Sequence, residues 1–204
     1  MIPVIYRNQG EGSVASYDWI DLTDGLGYVT LYGATANISG AGILTKNTLY
    51  SDKIGTDYTV GGGWAKISQI NFDSIINKPL AIRGKTLINV PIAGNHFVAD
   101  TGAGYIHAYL RKVTSGTTVE IANLSTAHIK TTHAFMTLIN LETPLTLFKK
   151  GDTLRLTVEV WGSDGGTGTI SIGHDPKNRY DANLQFANTD NTQLVLNLPV
   201  VIDL

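Results

Sequence analysis

Tyr105, His107, Tyr109 and Arg111 recur at every second position. On a strand that spacing sets all four on one face, with Ile106, Ala108 and Leu110 on the other. Two phenols, an imidazole and a guanidinium side by side make a wettable surface rich in anchors, suited to a protein contact or to a ligand platform. Trp64 and Trp161 add planar side chains of the kind on which a sugar ring packs, although they lie far apart in the sequence. A second group is Gly173-His174-Asp175-Pro176-Lys177-Asn178-Arg179. There Asp-Pro starts a turn, Asp175 is placed to accept hydrogen bonds from nearby amides, and Lys177 and Arg179 are expected to point outward, so His174, Asp175, Pro176 and Arg179 form a structured loop.

Other chemistries lack their residues. Gly84-Lys85-Thr86 has the ending of a phosphate loop, but Pro79 stands where the first glycine is required and no helix pattern follows. It is expected to be a turn leading into a strand near Leu87. Gly61-Gly62-Gly63 and Gly165-Gly166-Thr167-Gly168 do not lie between a strand and a helix, and are expected to be loop tips. The five histidines are His96, His107, His128, His133 and His174. His128 and His133 fall on opposite faces of a strand, and no carboxylate stands at a ligand-like spacing, so no metal site and no cofactor are expected. Neither Gly-x-Ser-x-Gly nor Ser-x-x-Lys occurs, and the acidic residues, Glu159 among them, are scattered. The residues give no catalytic group, and an enzyme is not expected.

The composition narrows the class further. The chain has 204 residues, 43% of them apolar and 16% charged, enough to bury one core and too patterned for a disordered tail. A net charge of -2 provides no positive field for a phosphate backbone, so nucleic acid is not an expected partner. Cysteine is absent, which removes disulfides and thiolate chemistry. The N-terminus lacks the basic and apolar pattern of a signal peptide, and no run is long enough to span a membrane, so a cytosolic product without a membrane partner is expected.

The elements that must carry these residues have a period of two. In Thr153-Leu154-Arg155-Leu156-Thr157-Val158-Glu159-Val160 every even position is apolar, as on a half-buried strand. The pattern returns at Leu194 to Val200 and at Ile106 to Arg111. Further strands are expected within Gly27–Tyr32, Ile43–Tyr50, Trp64–Phe72, Pro79–Ile92, Thr117–Asn123, His133–Leu141 and Gly168–Ile172, most of them separated by turn residues. No segment carries a capped helical stripe. The expectation is one all-β domain over residues 1–204: an antiparallel two-sheet β-sandwich of jelly-roll type, residues 1–30 forming an N-terminal arm, with an immunoglobulin-like sandwich as the alternative.

Five stretches taken together carry a resemblance. They are Ser16-Tyr17-Asp18-Trp19-Ile20-Asp21-Leu22, Gly25-Leu26-Gly27-Tyr28, Lys150-Gly151-Asp152-Thr153-Leu154-Arg155, the loop from Gly173 to Arg179, and the ending Leu194 to Leu204. The chain resembles virion structural proteins of tailed bacteriophages. That resemblance implies a non-enzymatic building block, made in the host cytoplasm and located in the virion: a jelly-roll decoration or cement protein on the head, or a tail or fibre component. Its implied partners are other copies of itself, in a closed homo-oligomer such as a trimer, and the major capsid or other virion proteins. It brings no catalytic residues. The alternative is a carbohydrate- or receptor-binding module of a tail or fibre, with Trp64, Trp161, Tyr105 and Tyr109 as stacking residues.

Overall fold

The computed structural model describes residues 26–36, 41–95, 103–126, 134–163 and 168–201. They form eleven strands and no helix: β1 Leu26–Thr35, β2 Gly42–Thr45, β3 Gly55–Val60, β4 Ala65–Ile75, β5 Leu80–Asn95, β6 Ala103–Thr114, β7 Thr117–Ser125, β8 Phe135–Phe148, β9 Thr153–Ser163, β10 Gly168–Gly173 and β11 Val195–Val201. The all-β expectation therefore holds. Hydrogen bonds join all eleven into one sheet in the order β3-β10-β5-β11-β1-β2-β4-β9-β6-β7, with β8 on the remaining edge of β5. The sheet is mixed and not purely antiparallel, because β2 pairs antiparallel with β1 and parallel with β4.

Alternation decides which side chains enter the core. Leu154, Leu156, Val158 and Val160 of β9 are buried, as are Ile106, Ala108 and Leu110 of β6. They share one cluster with Ile82, Ile88 and Ile92 of β5, Ile139 and Leu141 of β8, and Ile170 and Ile172 of β10. Removing such a side chain from water contributes roughly 1.5–3 kcal/mol. The sheet curls enough for distant strands to meet across this core. A Cβ on Gly104 of β6 would stand 2.7 Å from Cδ1 of Ile170 on β10, so the tip of the Ile170 side chain packs against the bare backbone of β6.

β5 is the long organiser. β8 follows one edge from Leu80 to Ile92, while the other edge is shared, β11 reaching Asn89 and β10 beginning at Ile92. Pro91, which has no amide to donate, falls in the gap between those two partners. A second irregularity sits at Arg83-Gly84. On the β8 side Ile82 pairs with Thr146 and Gly84 with Thr143, so Pro144 and Leu145 together oppose Arg83, a β-bulge. On the β11 side the register shifts between Asn197 and Val200, around Pro199. Gly84 itself has φ +112°, a conformation that side chains rarely adopt.

Several expectations need correction. Gly84-Lys85-Thr86 is no turn, since β5 runs through it without a break. Of the strand expected over Ile43–Tyr50 only the part to Thr45 forms, and β3 was not anticipated: it is a short edge strand with polar Thr56, Asp57 and Thr59. The residues from Leu26 to Thr30 belong to β1 and not to an arm, and residues 1–25 lie outside the described residues. The turn expected at Thr114-Ser115-Gly116 is present, with Ser115 at φ 50° and Gly116 at φ 83° between paired Thr114 and Thr117, the geometry of a type I′ hairpin.

The kink in β5 makes a stability prediction. At Gly84 a Cβ would have room, its nearest neighbour being the Leu26 side chain at 3.6 Å, so Gly84→Ala tests backbone conformation alone. It should lower unfolding free energy by about 1–2 kcal/mol in urea titration. Gly61→Ala, in open space with no positive φ, should leave the midpoint unchanged.

Candidate functional site

β9 has β4 on one side and β6 on the other, with β7 beyond β6. Even-numbered residues of β9 fill the core, so the odd-numbered ones make the outward face. Pairing sets Trp161 opposite Tyr105 and Lys66, Glu159 opposite His107 and Gln69, Thr157 opposite Tyr109 and Asn71, and Arg155 opposite Arg111 and Asp73. The outward face is thus a grid of aromatic and polar rows, each row one cross-strand layer.

The aromatic row is built of parallel rings. Tyr105 and Trp161 stack with centroids 5.8 Å apart and planes 7° apart, and Trp64 stacks on Tyr105 at 6.1 Å and 25°. Trp64 stands at the bend before β4 and is 53% exposed, unusually open for a side chain of that size. Further along β6, His107 stacks on Tyr109 at 4.2 Å, and the Arg111 guanidinium lies 4.2 Å from the Tyr109 ring centre. The six residues nominated from the sequence, Trp64, Tyr105, His107, Tyr109, Arg111 and Trp161, therefore meet on one face.

Polar groups between the rings are already engaged. Lys66 Nζ lies 2.7 Å from Glu159 Oε1 and 2.6 Å from Gln69 Oε1, and Trp161 Nε1 donates to Glu159 Oε2 at 2.9 Å. Burial alone would push the Glu159 carboxyl up, but the hydrogen bonds from Lys66 and Trp161 outweigh it and hold the group below its ordinary value. His107 Nε2 meets Asn123 Oδ1 at 2.9 Å and its Nδ1 meets the Tyr109 hydroxyl at 3.2 Å. The Asn123 amide nitrogen in turn donates to Glu120, which extends the polar row onto β7. Arg155 binds Asp73 through two 2.7 Å bonds, and Arg111 donates to Thr157 at 2.9 Å.

Such a face can stack a ring against Trp64 and hydrogen-bond through Gln69 or Asn123. It is poorly suited to a phosphate backbone, because its cations are neutralised or occupied within the sheet. Sequence reasoning passed over Glu159, Lys66 and Asn123 as members of this face. The signal was available for Glu159, which precedes Trp161 by two residues in the strongest alternating strand.

The loop after β10 belongs elsewhere, on the core side of β4, where the His174 ring packs 5.8 Å from the buried ring of Phe72. His174 Nε2 is 2.9 Å from the Thr56 hydroxyl, and Nδ1 has no hydrogen-bond partner. Asp175 is fully buried and accepts from the Arg179 backbone amide at 2.7 Å and from Nε and Nη2 of Arg179 at 3.0 Å each. Arg179 therefore folds back onto Asp175 instead of pointing outward, and its Nη2 also donates to the Ser51 carbonyl. Burial would raise the Asp175 carboxyl, yet these bonds keep it below its ordinary value. Pro176 is buried, and Asn178 takes a left-handed φ of 53°. The loop is a structural knot tied to Ser51. His96, His128 and His133 lie outside the described residues, and among the described residues no three histidine or acidic side chains are grouped as metal ligands would be.

No family model matches the chain, and no curated protein matches it. Solved structures do. A CocE/NonD family hydrolase from Staphylococcus aureus matches with TM-score 0.55 and 14% identity over 87% of this chain and 37% of its own. An aminopeptidase from a marine sediment Thaumarchaeota archaeon matches with TM-score 0.57 and 8% identity over 86% and 37%, and an α-amino acid ester hydrolase with 0.56 and 10% over 84% and 36%. The chain thus spans little more than a third of the length of these proteins. VP2 of infectious bursal disease virus, in a subviral particle, also matches, but its TM-score of 0.33 is too low to carry an argument. The expectation that set enzymes aside is corrected by these matches, since the proteins whose fold this chain shares are hydrolases. The likeness is one of fold: it transfers no catalytic residue, and none is assigned.

The buried histidine makes stability depend on pH. Burial pushes His174 down from its ordinary 6.5 to about 4, so between those values the unfolded chain binds a proton that the folded chain refuses. Stability contributed by neutral His174 is complete above pH 6.5, falls as pH drops, and levels off below about 4, at a cost of about 3 kcal/mol. Asp152 acts in a lower window. The Lys149 amide, Lys112 and Thr114 hold it near 2, so its contribution is present above its ordinary 3.8 and is lost toward 2. Urea unfolding at successive pH values should show both slopes, and His174→Gln should remove only the upper one.

Proposed function

We propose that this chain is a carbohydrate- or receptor-binding module, with Trp64, Tyr105 and Trp161 as its contact surface and a glycan as its ligand. One observation carries the reading: three stacked rings from separate segments stand in a row on an outward sheet face, and the outermost, Trp64, is left 53% exposed. A pyranose offers a C–H face to such a ring and hydroxyls to the polar rows beside it. Lys66 and Arg155 are matched by carboxylates, and Arg111 is engaged by Thr157 and the Tyr109 ring, which supports a neutral ligand over a polyanion. For the fold we propose two packed layers of jelly-roll type within the connected sheet, supported by the meeting of Gly104 with Ile170 across the core. On this reading the module is part of a larger particle or polypeptide. A glycan array probed with the purified chain should give specific hits, and Trp64→Ala should weaken the best of them at least about tenfold. An array without hits would refute the reading.

A second reading is favoured by a different observation. Leu145 and Leu147 of β8 and Val119 of β7 are exposed large apolar side chains, and β7 and β8 approach each other without pairing. Apolar side chains left open in this way suit self-association or docking on a virion shell, as the resemblance to phage particle proteins implies. Light scattering should then give a closed oligomer such as a trimer, and Leu145→Lys with Leu147→Lys should convert it to monomer. A monomer at high concentration would count against it.

A further inference from the structure

Glu159 is the buried acidic residue of the platform, and stability does not explain it. Only 5% exposed, it sits between Lys66 and Gln69 on β4 and His107 and Tyr109 on β6. A buried ion pair is about neutral for stability and is often bettered, as a pair, by apolar residues of similar volume. What the carboxylate does supply is a fixed acceptor. Oε2 takes the indole N–H of Trp161 at 2.9 Å, while Oε1 is held by Lys66 at 2.7 Å, so the carboxylate cannot turn and the indole is pinned by its polar end. Trp161 is the ring on which Tyr105 lies parallel, and Tyr105 is the ring on which Trp64 lies.

We infer that Glu159 is the positioning residue of the aromatic row: by holding the Trp161 indole it sets the plane of all three rings, and so the face that Trp64 presents to a ligand. This rests on the reading of the row as a ligand surface. It follows that the indole N–H is committed to Glu159 and that two of the three Lys66 N–H donors are taken by Glu159 and Gln69, so the row selects a ligand chiefly by the shape it stacks.

The test separates order from stability. Near-ultraviolet circular dichroism reports the coupling of parallel aromatic rings without any ligand, and affinity is measured for the array glycan that the unmodified protein binds most tightly. Glu159→Gln keeps one acceptor and should reduce the aromatic signal in part, with affinity about tenfold weaker. Glu159→Leu together with Lys66→Met, which removes the pair as a whole, should abolish the signal while leaving the thermal midpoint unchanged or raised. Lys66→Met, at an exposed position, should reduce the signal should either Glu159 variant fail to fold. Asp152→Asn, which removes another paired carboxylate far from the rings, should lower the midpoint and spare the signal. An unchanged signal and affinity in the Glu159 variants would overturn the inference. Absence of glycan binding by the unmodified protein would instead overturn the ligand reading, with the ligand-free signal still deciding whether Glu159 orders the row.

Discussion

One backbone, β5, has to satisfy three neighbours. It carries β8 along one edge and hands the other edge from β11 to β10, so its ladder must be broken without leaving amides stranded. Proline and glycine meet that demand by chemistry. Pro91 lies where one edge changes partners, Pro144 and Pro199 lie on either side of the kink, and Gly84 adopts the conformation the kink requires. Proline, which weakens an uninterrupted central strand, costs nothing where no hydrogen bond was to be made. The strands that β5 keeps aligned supply much of the core against which β4, β9 and β6 lie.

The buried carboxylates come with their partners. Glu159 has Lys66, Asp152 has Lys112, and Asp175 has Arg179. Each carboxylate also accepts at least one further hydrogen bond, from an indole, a backbone amide or a hydroxyl. Pairs of this kind add little net stability, because desolvation offsets the attraction, but they penalise every arrangement in which the partners separate. Asp152 joins the ends of β6, β8 and β9, and Asp175 ties the loop after β10 to Ser51. They work as fasteners of geometry more than as sources of stability.

The sequence exposes those parts of this fold that obey a period of two. β9, β6 and β11 alternate so regularly that their inward and outward residues can be assigned by counting, and the outward set of β6 carries four of the six platform residues. β3 escapes because it is short and mostly polar: Tyr58 and Val60 are its only large apolar side chains, and Thr56, Asp57 and Thr59 resemble a loop until pairing with β10 is known. Gly84 deceives in the other direction, since a glycine that bends a strand and one that ends it look alike along the chain. The reach of Trp64 to Tyr105, and the return of Arg179 onto Asp175, are matters of side-chain direction that spacing does not encode.

The parallel contact between β2 and β4 is the thinnest join in the sheet. It holds two residue pairs, Gly42 with Phe72 and Ile43 with Asp73, in an approach so close that a Cβ on Gly42 would strike the Asn71 carbonyl. Elsewhere strands are laced by four pairs or more. Leu26 of β1 pairs with Val201 of β11 in the last rung of their ladder, so a pull on those two residues would open that ladder one pair at a time, and the narrow β2–β4 seam would be reached only after β1 had been drawn off. Wherever this chain bears mechanical load, the rings on β6 and β9 would stay side by side while that ladder peels.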